Sequence, residues 1–415
     1  MIGVIADDVT GATDAALAFR RTGMRCGVYF GTPHPSDVRS GLDVVVIALK
    51  SRTIPAREAV AQSLGAAQTL QAIGARQLFF KYCSTFDSTA NGNIGPVLDA
   101  LVDLLQVDAV VTTPATPEHG RTTFNGYLFV NNELLSESSM RNHPLTPMRD
   151  SSLTRLMNAQ SKGSSVVVDH DVVRRGAEAI RSAVDGTRHM ARYVFPDAAT
   201  EEDLFSIAQA VLDEPLVAGA AGLAGAIGRA HGSRGAAARA RVSESAPAGR
   251  AVVLAGSCSR RTLEQIDRML RAERPAHRLD AFESDDPERL AQGALDWYDA
   301  LPTGPAPLIY SSLAPAALRK VQDAIGVERS AEIFEGAFAH IARGLCERGV
   351  TRFVAAGGET SGSLVAALGI RGGVVGLEAA RGVPWIHTDR NLDVLLKSGN
   401  FGEPDLLVAA SDGSS

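Results

Sequence analysis

Two aspartates stand side by side in IADDVTGATDAALAF, where the β-rich run Ile2 to Ile5 gives way to residues at helical spacing. Carboxylates at the end of a strand have chemical uses. One can take the proton of a substrate hydroxyl while the other orients the site or meets a metal through water. Asp7 and Asp8 are therefore the candidate catalytic pair and also candidate substrate ligands. The competing reading is an acidic turn that caps the next helix, and this segment alone weighs the two about equally.

A second polar block, FKYCSTFDSTANGNIGP, follows an apolar run and sets Lys81 and Asp87 among hydroxyl and amide side chains. Such a set suits a small carboxylate bearing hydroxyl groups, because every polar atom it buries needs a partner. The stretch PEHGRTTFNGYLFVNNELLSESSMRNHPLTPMRD has little helical periodicity and reads as a shaped binding loop. In it Arg121 or Arg141 offers a fork for a carboxylate, and His143 a binding contact. Asp169 and Asp171 follow a VVV run, and Asp171 reads equally as a cap for the next helix.

The carboxyl-terminal half offers a different chemistry. In RFVAAGGETSGSLVAALG a β-rich run passes through glycines into an Ala/Leu segment, so backbone N–H groups at a helix start can face a phosphate. Thr360 and Ser361 add hydroxyl donors there. AVVLAGSCSRRTLEQIDRML repeats the order with Gly256, Ser257 and Ser259, and KSGNFG makes a third turn after LDVLL. In an open α/β sheet, loops after several strands converge on one crevice, so three such turns can surround a nucleotide. Any one alone reads as a tight turn with helix caps. Glu359 within the glycine turn calls for a cation beside phosphates, and Mg²⁺ is its natural partner. Neither a P-loop nor a G-x-G-x-x-G fingerprint appears, and the ladder Gly219, Gly222, Gly225, Gly228 suits close packing or a substrate loop.

The elements that position these residues follow from periodicity. Short β-rich runs (Ile2 to Ile5, Val44 to Leu49, Leu78 to Tyr82, Ala109 to Thr113, Val166 to Val168) alternate with helical segments. The alternation restarts at Ala251 to Ala255 after an Ala/Arg/Gly/Ser-rich stretch that reads as a solvated linker. The expected fold is α/β: two α/β domains with largely parallel sheets and an active-site cleft between them. The expected division is 1–230 for the first domain, 231–250 for the linker, 251–410 for the second domain and 411–415 for a frayed tail.

At 415 residues, with 45% hydrophobic and 21% charged, the chain has enough material for more than one core. A net charge of −6 supplies no global basic field, so neither nucleic acid nor an anionic membrane is an expected partner. Four widely spaced cysteines without a C-x-x-C pair read as reduced thiols, and MIGVIADD lacks the flank and apolar core of a signal peptide. A cytoplasmic protein is expected.

At these motifs the sequence resembles the four-carbon acid sugar kinases, and their 3-oxo-tetronate kinase branch in particular. ADDVTGA is similar to the family's ADD-x-TGA signature, GGETSG to its carboxyl-terminal nucleotide motif, and SGNFG to the stretch downstream. KYCSTFDST and the long NGYLFVNNELL stretch look like the oxo-tetronate branch, whereas threonate and erythronate kinases tend toward K-I-D-S-T. One departure is Ala90, at a position often held by a bulkier or charged residue.

The resemblance implies that 1–230 is a sugar-acid substrate-binding domain and 251–410 an ATP-binding domain, with ATP as co-substrate and phosphorylation of the terminal (C4) hydroxyl of a four-carbon sugar acid. It places substrate contacts near Asp7, Asp8, Lys81 and Asp87, with Arg121 and His143 as additions. It places ATP near Ser257, Ser259, Gly357, Gly358, Glu359, Thr360, Gly399 and Gly402, and it also implies a homo-oligomer. The competing activities are a D-threonate or D-erythronate 4-kinase, a nicotinamide-dependent hydroxy-acid oxidoreductase, and a non-catalytic sugar-acid sensor. The missing dinucleotide fingerprint counts against the oxidoreductase.

Overall fold

The computed structural model describes residues 1–143, 146–233 and 249–413. The chain divides into two compact units, Met1–Arg241 and Val242–Ser415.

In the first unit the chain forms β1 (Ile2–Ala6), α1 (Val9–Arg20), β2 (Cys26–Phe30), β3 (Val44–Ala48), α2 (Ala56–Ala72), β4 (Gln77–Lys81), α3 (Ile94–Leu105) and β5 (Val110–Thr113). Three short strands follow, β6 (Arg121–Phe124), β7 (Tyr127–Val130) and β8 (Glu133–Leu134), then α4 (Leu153–Gln160), β9 (Ser165–Val168), α5 (His170–Val173), α6 (Ala177–Thr187), β10 (Tyr193–Pro196), α7 (Glu201–Ala210), β11 (Leu216–Gly219) and α8 (Ala221–Ser233). The main sheet runs β2-β3-β1-β4-β11-β5-β10-β9, with every one of these pairings parallel.

β1, β3 and β4 read IGVIA, VVVIA and QLFFK and are buried along their whole length. This is the near-continuous apolar text of parallel strands covered on both faces. Ile2 pairs with Val44 on one side and Gln77 on the other, so the three strands end level at Ala6, Ala48 and Lys81. After β1 the chain visits β2 and β3 on one side and then crosses to β4 on the other. The loops leaving β3, β1 and β4 therefore border a topological switch point.

The stretch expected to be an aperiodic loop is instead a three-stranded antiparallel sheet, β6-β7-β8. Its first turn is Asn125–Gly126, with φ 50° and 72°, the left-handed pair that a two-residue hairpin turn requires. The signal was the Asn-Gly dipeptide. Asp171 lies inside α5 rather than at its cap, and Gly176 stands at the start of α6. The glycine ladder packs: a Cβ at Gly222 would lie 2.7 Å from the Ala115 carbonyl, and one at Gly228 would lie 2.6 Å from the Thr22 hydroxyl.

The second unit contains β12 (Arg250–Ala255), α9 (Arg260–Arg271), β13 (Ala276–Arg278), α10 (Pro287–Asp299), β14 (Leu308–Tyr310), α11 (Pro315–Ile325), α12 (Val327–Glu347), β15 (Val350–Ala356) and α13 (Gly358–Ala367). It closes with β16 (Gly372–Ala380), β17 (Val383–Thr388), β18 (Asp393–Lys397) and α14 (Leu406–Asp412). Its strands run β13-β14-β12-β15-β18-β17-β16, parallel as far as β18 and antiparallel in the last two pairings. The order reverses between β12 and β15, which makes that boundary the switch point of this unit.

Trp385, Val354, Leu395 and Leu407 share a core on one face of this sheet. Buried Arg352 lies over the Trp385 ring and donates to the carbonyls of Ala410 and Ser411. That anchor corrects the tail expected from residue 411, because Ser411 is buried and the helix continues to Asp412. Residues 231–233 finish α8, whereas 234–248 of the proposed linker lie outside the described residues. Among the described residues no helix is long and apolar enough to cross a membrane.

Candidate functional site

At the switch point of the first unit, three loops bring opposite charges together. Asp7 directly follows β1 and is buried, and Asp8 caps α1 by accepting from the Gly11 N–H at 3.0 Å. Between them reaches Arg52, four residues beyond β3. Its Nε and Nη2 donate to the two oxygens of Asp7 at 2.9 and 2.8 Å, and Nη2 also donates to Asp8 Oδ1 at 2.6 Å. Its Nη1 stands 3.8 Å from Asp87 Oδ2. A guanidinium fork meeting a carboxylate side-on is the strongest geometry such a pair adopts.

The two aspartates are held differently. Both oxygens of Asp7 are engaged by Arg52. Asp8 uses only Oδ1 among the described residues, and its side chain is 30% exposed, which leaves Oδ2 available to a substrate hydroxyl. Burial pushes the Asp7 carboxyl above its ordinary value, against the opposing pull of Arg52, with the neighbouring Asp8 adding to the rise. Burial also works against the charge on Arg52, but Asp7 outweighs it and keeps the guanidinium protonated.

Lys81 is buried at the end of β4, donates to the Tyr82 carbonyl at 2.8 Å and lies close enough to draw the Asp7 carboxyl down. Gly11 makes room for it: a Cβ there would lie 3.0 Å from Lys81 Nζ and 2.4 Å from Asp8 Oδ1. The glycine of DVTGA is thus needed so that an ammonium and a carboxylate can approach one backbone.

Asp87 sits on a strained loop. Phe86 and Asp87 have φ of 62° and 22°, uncommon for residues with side chains. The fully buried Phe86 ring meets Tyr82 edge-on at 5.5 Å and anchors the loop. Thr85 donates to Asp87 Oδ1 at 2.7 Å and approaches Cys83, whose thiol burial pushes up to about 11. Asn93 donates to the carbonyls of Ser51, Arg52 and Ile54, which fixes the backbone that carries Arg52.

Two expected substrate contacts have hydrogen-bond partners of their own. Arg121 begins β6, and its guanidinium donates to the His119 carbonyl. His143 pairs with Thr146 at 2.9 Å. No hydrogen bond or ion pair among the described residues joins either of them, or Arg141, to Asp7, Asp8, Lys81 or Asp87.

The second unit gathers its three turns after β12, β15 and β18, which are neighbours in that sheet. Ser259 caps α9 by accepting from Thr262 N–H, and Ser257 accepts from Ser259 N–H. Gly357, with φ 131°, has a backbone that side chains rarely adopt, and a Cβ there would meet Ser257 at 3.1 Å and Thr360 at 3.2 Å. A Cβ at Gly399 would fall 2.6 Å from Ser257 Oγ and 2.9 Å from Ser259 Oγ.

Gly358 differs, because a Cβ there would meet nothing within 4 Å. Open space above the start of the ten-residue helix α13, beside hydroxyls, is what a phosphate needs. Glu359 is exposed in the first turn of α13, Thr360 is buried below it, and Gly402 continues the turn after β18 toward α14. Among the described residues no group of three metal-capable side chains comes together. A lone carboxylate fits Mg²⁺, which keeps several waters and shares itself with substrate phosphates.

Residue types alone left out Arg52 and Lys397. Arg52 sits in LKSRTIP just past the third strand, the place from which loops reach a switch point, and that position was the available signal.

Known proteins resemble the chain along nearly its whole length. A sugar-binding N-terminal domain model matches residues 2–227, and a nucleotide-binding C-terminal domain model matches residues 252–407. The chain belongs to the four-carbon acid sugar kinase family, whose members are phosphotransferases with an alcohol as acceptor. It is 46% identical to a 3-oxo-tetronate kinase of Cupriavidus necator, covering 99% of this chain and 96% of that one. It is 43% identical to a 3-oxo-tetronate kinase of Haemophilus influenzae, covering 99% of both. Crystal structures of proteins from Salmonella typhimurium LT2 and Haemophilus influenzae superpose with TM-scores of 0.92 and 0.90, at 40% and 41% identity. Each of the two alignments covers at least 99% of both chains.

Proposed function

We propose that this protein transfers the γ-phosphoryl group of ATP to the C4 hydroxyl of 3-oxo-tetronate, giving 3-oxo-tetronate 4-phosphate and ADP. The observation that carries the substrate is the near-full-length identity, 46% and 43%, to relatives of that name. Support for the chemistry comes from the two sites. One is a carboxylate cluster with a free oxygen on Asp8, and the other is an open glycine turn at a helix start.

In this reading the sugar acid meets Asp8, Lys81 and Asp87, while Arg52 holds Asp7 and Asp8 in place. Arg121, whose Nη1 alone is engaged by the His119 carbonyl, and His143, whose Nδ1 meets Thr146, would extend that surface. Asp8 Oδ2 accepts the proton of the C4 hydroxyl as that oxygen bonds to the γ-phosphorus, and the bond from phosphorus to the ADP oxygen breaks. Phosphoryl transfer asks little covalent chemistry of the protein beyond alignment, charge neutralisation and exclusion of water.

ATP is assigned to the turns carrying Ser257, Ser259, Gly357, Gly358, Thr360, Gly399 and Gly402. Glu359 would hold Mg²⁺, which when bound offsets phosphate charge. Balanced charge and free cysteines support a cytoplasmic setting. The test is ADP release with 3-oxo-tetronate, D-threonate and D-erythronate offered separately. The highest kcat/KM is expected for 3-oxo-tetronate. A higher value for either other acid overturns the substrate, and no ADP with any of them overturns the kinase reading.

A further inference from the structure

We infer that Lys397 is the positioning residue of the nucleotide site, tying the turns after β12, β15 and β18 into one cradle and setting its affinity for the triphosphate. The inference rests on the nucleotide reading above and adds a residue that reading does not use.

Lys397 is only 1% exposed at the end of β18. Its ammonium donates to Thr262 Oγ1 at 2.9 Å, to the Gly399 carbonyl at 2.8 Å and to the Ser398 carbonyl at 3.2 Å. Its own carbonyl accepts from Gly357 N–H at 2.9 Å, which reaches the turn after β15. Thr262 in turn donates to the Gly399 carbonyl at 2.9 Å and receives the Ser259 hydroxyl, which reaches the turn after β12. One residue therefore touches, directly or through one hydroxyl, all three turns to which phosphate is assigned.

The charge is as informative as the geometry. Lysine is almost never fully buried unless paired, and no carboxylate among the described residues lies within ion-pair distance of this one. Carbonyls and a hydroxyl satisfy its protons but do not cancel its charge. A scaffold needing only to fill this space would do better with an apolar side chain, since an uncompensated buried cation is costly. Behind a phosphate turn the same cation is useful, because its field reaches the anion through protein rather than water.

Burial lowers the pKa of Lys397 to about 8, and nearby Arg261 lowers it further in the same direction. The other charged or titratable groups on the elements around it are Arg260 and Glu264 of α9 with Cys258 before it, Arg352 of β15, Glu359 of α13, His387 of β17 and Asp393 of β18, and of the charges Arg261 is the one that shifts this lysine. As pH rises through about 8 the ammonium loses its proton, and the attraction for nucleotide goes with it. Apoprotein stability moves the other way. The unfolded lysine holds its proton to the ordinary value of 10.5, so over that interval the unfolded state binds more protons and the folded state gains.

The test is calorimetric titration of MgATP into wild type, Lys397→Arg and Lys397→Met, each in a Cys258→Ser background that removes the local thiol. At about pH 7, Lys397→Met should bind about 10- to 100-fold more weakly, the worth of charge-assisted hydrogen bonds and a near charge. Between about pH 7 and about pH 9.5 wild type should weaken severalfold, while Lys397→Arg, protonated throughout, stays flat. Over the same rise the stability gap between wild type and Lys397→Met should shift toward wild type, which separates a charge effect from loosened packing. Binding by Lys397→Met within twofold of wild type overturns the inference. So does an equal fall in Lys397→Arg or, if the Met variant fails to fold, a flat wild-type profile. Wild type that binds no ATP at all overturns the nucleotide reading itself, and the role of Lys397 with it.

Discussion

The two candidate sites solve opposite electrostatic problems with the same architecture. Both sit where loops leave neighbouring parallel strands at a switch in strand order. In the first unit the loops deliver Asp7, Asp8 and Asp87 against Arg52, held by direct ion pairs, with the buried ammonium of Lys81 close by. In the second they deliver glycines, hydroxyls and backbone N–H groups, with one cation buried beneath. An alcohol needs a base and oriented carboxylates to become a nucleophile. A triphosphate brings its own charge and needs space and donors. The contrast supports the proposal of acceptor chemistry in the first unit and donor binding in the second, in line with the sugar-binding and nucleotide-binding domain models that match them.

The sharpest way to break that assignment is Asp8→Ala. Turnover should fall by about 10²- to 10⁴-fold, the range for a positioned general base, with the ATP dissociation constant unchanged. Steady-state kinetics alongside calorimetry reads both, and a loss of ATP affinity equal to the loss of turnover would erase the contrast. Arg52→Met comes next. It strips buried Asp7 of its fork and leaves its carboxylate beside Asp8 with no guanidinium between them, a change that costs about 3–5 kcal/mol where a buried pair is broken. Chemical denaturation should show a large loss of stability in the first unit, and Arg52→Lys should restore only part of it, since an ammonium cannot bridge both oxygens of Asp7.

Gly358→Trp tests the other side. Because a Cβ there meets nothing, the fold should tolerate the change while ATP binding weakens by about tenfold or more, as the indole occupies phosphate space. Unchanged ATP affinity would remove the cradle. The smallest effect belongs to Asp7→Asn. Burial raises the Asp7 pKa in the folded protein, so the stability it contributes is present below its ordinary 3.8 and is lost as pH rises through the folded value. Thermal melts across that interval should show the Asp7→Asn variant gaining on wild type as pH rises, and a constant difference would mean that Asp7 titrates as it does in the unfolded chain.

The parts of these sites legible in the sequence are those encoded by a local strand, turn and helix. ADDVTGA and GGETSG each announce a strand end followed by a helix start, and the structure has β1 before α1 and β15 before α13 at those places. Arg52 and Lys397 are different, because their partners are distant in sequence. Arg52 meets Asp7 only because β3 pairs with β1, and Lys397 meets Gly357 only because β18 pairs with β15. A lysine followed by SGNFG looks like an exposed flank until the pairing buries it. The polar stretch around Arg121 shows the converse: it reads as an aperiodic loop, but the Asn125–Gly126 turn folds its first part into a hairpin, and the Arg121 guanidinium meets the His119 carbonyl just upstream.

The most direct test of the central claim is the position of phosphorus in the product. After turnover with ATP and 3-oxo-tetronate, proton–phosphorus correlation spectroscopy should couple the new phosphate to the C4 methylene protons, with one ADP formed per phosphate transferred. A phosphate on any other oxygen, or ADP formed without a phosphorylated acid, would contradict the account.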